Sequence, residues 1–185
     1  MTSILKTNTI QDLSSTVLLE TNGSGTITTN NIGGQNTPAF SAYLSADQSS
    51  VSAGSYTKVN LNAEDFDTDS AFDSSSNYRF TVPSGKGGKY LITGAVEFND
   101  FNGGSYSTKD LYSAVLYKNG SLAKMNTIHI AAAVNGTGVS LCAILDLSAS
   151  DYIELYALAD VGAGTGKING GDQTTWLMGN KLIGA

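Results

Sequence analysis

The sequence has little cysteine, proline or positive charge. Among 185 residues there are one cysteine, Cys142, and two prolines. A single thiol closes no intrachain disulfide, so the fold does not depend on oxidation. Arg79 is the one arginine and His129 the one histidine, and the formal net charge is −6. A binder of the nucleic-acid backbone needs a basic face, so nucleic acid is excluded as a partner. A polybasic membrane patch is missing for the same reason. One histidine and one cysteine do not build a typical zinc site. No apolar run approaches the length of a membrane-spanning helix. The opening MTSILKTNTIQ lacks the apolar stretch of a signal peptide. These absences point to synthesis in a cytoplasm, without export and without membrane insertion.

What is present is β-chemistry. There are 21 glycines and nine tyrosines, with abundant Ser, Thr and Asn, and no segment shows a helical period. That is the profile of an all-β protein with many turns. Residues 1–36 contain no aromatic side chain and read as short β-prone runs broken by polar and glycine-rich turns. So small a segment buries no core alone. It forms either a tail or a thin β stalk made stable by several copies. Gly33, Gly34 and Pro38 mark the boundary with a second domain over residues 37–185.

In that domain the sequence predicts about eight to ten strands, packed as a sandwich or jelly roll. In KYLITGAVEF, positions Tyr90, Ile92, Gly94, Val96 and Phe98 share one face, the period of a half-buried strand. Asn119-Gly120 is a two-residue hairpin signal, because both residue types accept positive φ. Two runs, 139–147 and 151–159, are apolar on both faces. In the second, Ile153, Leu155 and Ala157 oppose Tyr152, Tyr156 and Leu158. A monomeric sandwich keeps one face of each strand polar. Tyr152, Tyr156 and Leu158 are therefore candidates for an interface between subunits.

From residue 38 the pieces fall in a familiar order. They are PAFSAYLSA, YRFTVPSGKGGKYLITGAVEF, LYKNGSLAK, LDLSASDYIELYAL and TTWLMGNKLIG. This ordered set resembles the complement component 1q globular head, a relative of the tumour necrosis factor jelly roll. Trp176 stands where that family has Phe, and SGKGG lengthens a turn that the family makes with one glycine. The resemblance implies a homotrimeric, non-enzymatic jelly-roll β-sandwich. No collagen-like repeat precedes it. The leader, ILKTNTIQD followed by GSG and a Thr-rich run, instead resembles structural proteins of tailed phages, marine ones especially. That implies a virion component: a fibre, tail appendage or capsid decoration.

Four further stretches are candidates for chemistry. EDFDTDSAFD holds five carboxylates in ten residues. Asp65, Asp67 and Asp69 follow the spacing of a calcium-binding EF-hand, but Ser70 and Ser76 stand where Gly and Glu are needed, and no helices flank them. The preferred reading is an Asp/Ser turn with Phe66 and Phe72 tucked inward. A loop calcium site on Asp65, Asp67, Asp69 and Asp73 is the alternative, and no other cofactor is expected. VGAGTGKI and SGKGGKY mimic phosphate loops but lack the required residues and a following helix. His129 has no nucleophile-elbow motif beside it and reads as an outward polar residue. Cys142 reads as a small buried hydrophobe. The loop FNDFNGGSYSTKDLY, with Asp100, Phe101, Asn102 and Tyr106, suits recognition of a sugar or protein surface.

The function expected is therefore a trimeric virion protein whose first segment contacts other virion proteins. Its head would decorate the particle or bind a host-surface glycan or protein. The alternatives are a secreted or cell-surface module of complement or lectin type, and a glycan-degrading virion enzyme.

Overall fold

A computed structural model describes residues 9–11, 13–15, 17–21, 27–29, 36–102, 110–130, 136–161 and 164–182, excepting the side chains of 18, 19, 21, 27–29, 100–102 and 110. The chain divides into two units between Gln35 and Asn36. The first contains a three-stranded antiparallel sheet of β1 (Thr9–Gln11), β2 (Val17–Thr21) and β3 (Ile27–Thr29), with β2 in the middle.

The second unit begins with β4 (Ala39–Tyr43), β5 (Gln48–Ser52), β6 (Thr57–Lys58), β7 (Ala63–Asp67), β8 (Phe72–Asp73) and β9 (Arg79–Thr81). It continues with β10 (Gly88–Asn102), β11 (Asp110–Lys118), β12 (Ser121–Ile130), β13 (Gly136–Leu147), β14 (Tyr152–Asp160), β15 (Thr165–Ile168) and β16 (Trp176–Lys181). No helix occurs among the described residues. The strand count exceeds the eight to ten expected. The surplus is strands such as β6, β8 and β9, two or three residues long, in which no period can show.

Two antiparallel sheets face one another. The first, of seven strands, is built on β10, whose 15 residues pair with β13 on one side and with β16 and β15 on the other. β4 and β7 extend it beyond β16, and β5 extends it beyond β15. The second sheet, of six strands, runs β12-β11-β14-β9-β8, with β6 also paired to β14. Tyr90, Ile92, Val96 and Phe98 of β10 are buried between the layers, as their alternation predicts. Phe80, Leu116, Ile153 and Leu155 meet them from the second sheet. Aromatic rings join the layers: Phe40 stacks on Phe80 at 4.6 Å, and Phe98 meets Tyr112 at 5.1 Å. Gly179 lies against Phe40 and Ile92, where a Cβ would displace both.

The turns follow their sequence chemistry. Asn119 and Gly120 have φ of 52° and 76° and join β11 to β12, as a primed hairpin turn requires. Ser148–Ser150 carries the chain from the first sheet to the second, with Ser150 at φ 72°.

Candidate functional site

The acidic stretch is half strand and half turn. Asp65 accepts from Ser41 Oγ at 2.7 Å. Asp67 accepts from the amides of Asp69 and Phe72. Asp69 accepts from Thr68 Oγ1 and pairs with Lys86 at 3.4 Å. Asp73 accepts from the amides of Ser75, Ser76 and Asn77. The Ser76 amide foremost, then Asn77 and Ser75, holds the Asp73 carboxyl well below the ordinary carboxylate range. Asp67 and Asp73 thus close the turn on its own amides, while Asp65 and Asp69 tie it to Ser41 and Lys86. Among the described residues no three acidic, histidine or cysteine side chains are grouped so as to hold a metal ion.

Phe72 is buried, as expected, but Phe66 is 50% exposed. Its strand β7 is an outer strand of the first sheet, and Phe66 stands opposite Ser41 on β4. Cys142 also departs from expectation: it is exposed, because alternation along β13 buries Leu141 and Ala143 instead. His129 is exposed on β12.

Phe66 and Cys142 belong to one surface, the outward face of the first sheet. The register lays out its rows. One runs Phe66, Ser41, Met178, Thr93, Cys142. Its neighbours run Ala39, Asn180, Leu91, Ile144 and Ala63, Tyr43, Trp176, Ala95, Ser140. Ile144, at 57% exposed, stands out most, while Leu91, Trp176, Met178 and Tyr43 are half-buried. Lys89 opposite Asp146, and Glu97 opposite Gly138, bound the apolar rows with charge. An apolar centre with a charged rim is interface anatomy.

At one side of this face the edges of the two sheets meet. Asn126 donates to the Ser140 carbonyl at 2.7 Å, and Lys118 to the Asp146 carbonyl at 2.8 Å. Between them opens a groove of about 680 Å³ lined by Lys124, Met125, Asn126, Ser140 and Trp176. Leu122 and Met125 on β12 are 47% and 48% exposed.

Tyr152, Tyr156 and Leu158 lie elsewhere, on the outward face of the second sheet. They are half-buried by contacts within the chain. Tyr156 stacks on Tyr117 at 4.1 Å, Tyr56 leans on Tyr117 at 6.1 Å, and Arg79 lies 4.1 Å from the Tyr152 ring centre. Beneath them Lys58 pairs with buried Glu154 at 2.6 Å. Burial first, then neighbouring charge, pushes the Tyr117 and Tyr156 hydroxyls up from their usual range. The apolar excess that the sequence shows on β14 is thus largely met by the chain itself. Of the recognition candidates, Tyr106 and the side chains of Asp100, Phe101 and Asn102 lie outside the described residues.

Two antiparallel sheets, with β13 to β14 crossing between them, define the architecture, and solved structures share it. The chain has the jelly-roll fold of the tumour necrosis factor and complement 1q domains. Eiger TNF from S. frugiperda matches at TM-score 0.57 and 14% identity, over 80% of this chain and 93% of that one. Murine APRIL matches at 0.56 and 15%, over 78% and 98%. The globular domain of zebrafish complement 1qA matches at 0.53 and 16%, over 79% and 98%. No protein-family model and no curated protein matches the chain.

Proposed function

We propose that the protein is a non-enzymatic, homotrimeric structural and recognition module that serves as a virion surface component. The observation that carries self-association is the outward face of the first sheet, with Leu91, Ile144, Trp176, Met178 and Phe66 around a charged rim. A ring of three needs two different patches, since each copy presents one surface and receives another. The molecule has both: this broad face, and the β12 edge with Leu122 and Met125. Burying such side chains yields roughly 1.5–3 kcal/mol each, a driving force in keeping with a stable oligomer. The Asp-rich loop serves as a closed structural turn rather than as a catalytic or metal site.

The particle role rests on the resemblance of the leader ILKTNTIQD to tailed-phage structural proteins. In that role the first unit contacts other virion proteins, and the head is displayed to host-surface glycans or proteins. Immunogold labelling of purified particles, with antibody raised against the second unit, tests it. Label on the particle surface is expected. Protein confined to the particle-free fraction would refute the virion role and leave the trimer untouched.

A further inference from the structure

Five Asn-Gly pairs occur in the sequence, at 22–23, 102–103, 119–120, 135–136 and 169–170. Such a pair carries a reaction of its own. The glycine backbone nitrogen, with no Cβ beside it, attacks the asparagine Cγ. A C–N bond forms, the bond from Cγ to Nδ2 breaks, and the glycine N–H proton leaves with that nitrogen as ammonia. Water then opens the five-membered succinimide to aspartate or isoaspartate, with no change of oxidation state.

The side chains of Asn119 and Asn169 lie among the described residues, and the two are held alike. Asn119 Nδ2 donates to Asp151 Oδ1 at 2.7 Å, and its Oδ1 accepts from the Tyr152 amide at 2.9 Å. Asn169 Nδ2 donates to Glu97 Oε1 at 3.0 Å, while its backbone N–H donates to the Glu97 carbonyl at 2.8 Å. The attacking nitrogen of this second pair is engaged as well: the Gly170 N–H donates to Asp47 Oδ1 at 3.0 Å. Asp151 and Glu97 lie 32 and 72 positions from the asparagines they hold, so these contacts exist only in the folded domain. Neither depends on a second copy of the chain.

Cyclisation requires Cγ to swing onto the next backbone nitrogen. An amide fixed at its far end makes that swing only by breaking a bond to a carboxylate, and charge-assisted bonds are the strong ones. We infer that Asn119 and Asn169 are deamidation sites that the fold holds shut, Asp151 guarding the first and Glu97 the second. Opening either contact starts a one-way change. The new carboxylate stands against the one that held the amide, so attraction becomes repulsion. Isoaspartate also adds a carbon to the main chain, which breaks the geometry of the two-residue hairpin turn at Asn119-Gly120.

Peptide mapping by mass spectrometry tests this on the full chain, incubated in mildly alkaline buffer below its melting temperature, beside the same chain unfolded in guanidinium. The hydrogen bond to a charged group sets the scale: native Asn119 and Asn169 are expected to deamidate about 10-fold or more slowly than in the unfolded chain. Asp151→Ala is expected to speed Asn119 by about 10-fold and to leave Asn169 at the wild-type rate. Glu97→Ala is expected to do the reverse. Circular dichroism on each sample shows whether the sheets are intact; should one variant unfold, the other carries the comparison. Native sites that deamidate at the unfolded rate overturn the inference. So does a folded variant that leaves its own site unchanged or speeds both sites alike.

Discussion

Single carboxylates decide how the turns of this fold hold. Asp151 accepts from Asn119 Nδ2 at 2.7 Å and from the Ser148 amide at 2.8 Å, and it pairs with Lys118 at 2.9 Å. One side chain thus ties the β11–β12 hairpin to the turn that crosses between sheets. The Lys118 bond first, then Asn119 and Ser148, lowers its pKa to about 2. A carboxyl with a depressed folded pKa stabilises above its unfolded value and loses that contribution as pH falls through the folded one. The stability carried by Asp151 is therefore complete above about pH 4 and is lost towards pH 2. Asp151→Asn is expected to flatten the acid limb of a melting-temperature profile, while Asp151→Ala costs about 1–2 kcal/mol at neutral pH. An unchanged acid limb would remove Asp151 from this role. Gly170 is decided by space: a Cβ there overlaps backbone atoms of Ala46. Gly170→Ala is expected to cost about 3 kcal/mol or more in chemical denaturation, because backbone cannot step aside as a side-chain tip can. The Asp-rich loop is closed by its own amides, so added calcium and chelator are expected to leave the melting temperature equal. A calcium-dependent rise would restore Asp65, Asp67, Asp69 and Asp73 as ligands.

At the level of strands, β10 and the aromatic residues around it hold the two layers together. Phe80 is fully buried, stacked on Phe40 and tilted against Tyr90 at 5.6 Å. Phe80→Ala is expected to cost about 3–5 kcal/mol, read as a shift in denaturation midpoint at constant slope. The inward face of β10 was legible in the sequence because alternation there is regular and long. The hairpin at Asn119-Gly120 was legible because its residue types have one favoured geometry. β6, β8 and β9 were not legible, because two or three residues carry no period. The exposure of Cys142 and Phe66 was not legible either. Cys142 lies in a strand whose two faces read as similarly apolar, so only the pairing register tells inside from outside, and Phe66 lies in AEDFD, an acidic stretch that reads as a turn although it forms β7. The mostly apolar outward face of the first sheet was not legible in the sequence either. Its rows gather residues from five strands far apart in sequence, whereas the apolar run on β14 is continuous and visible. That run turns out to be engaged by Tyr117, Tyr56 and Lys58 of its own chain.

At the scale of the whole molecule, the outward face of the first sheet is proposed to join three copies. Multi-angle light scattering of the full chain, beside Ile144→Asp, tests that most directly. Ile144 projects from the face and supports no inner contact of the fold, so a charge there should spare the protomer and block its partner. The wild-type protein is predicted at the mass of three protomers, about three times 19.2 kDa. The variant is predicted at one protomer, with unchanged β-sheet circular dichroism. A wild-type chain that stays at one protomer over a wide concentration range would contradict the claim, as would a variant that remains trimeric.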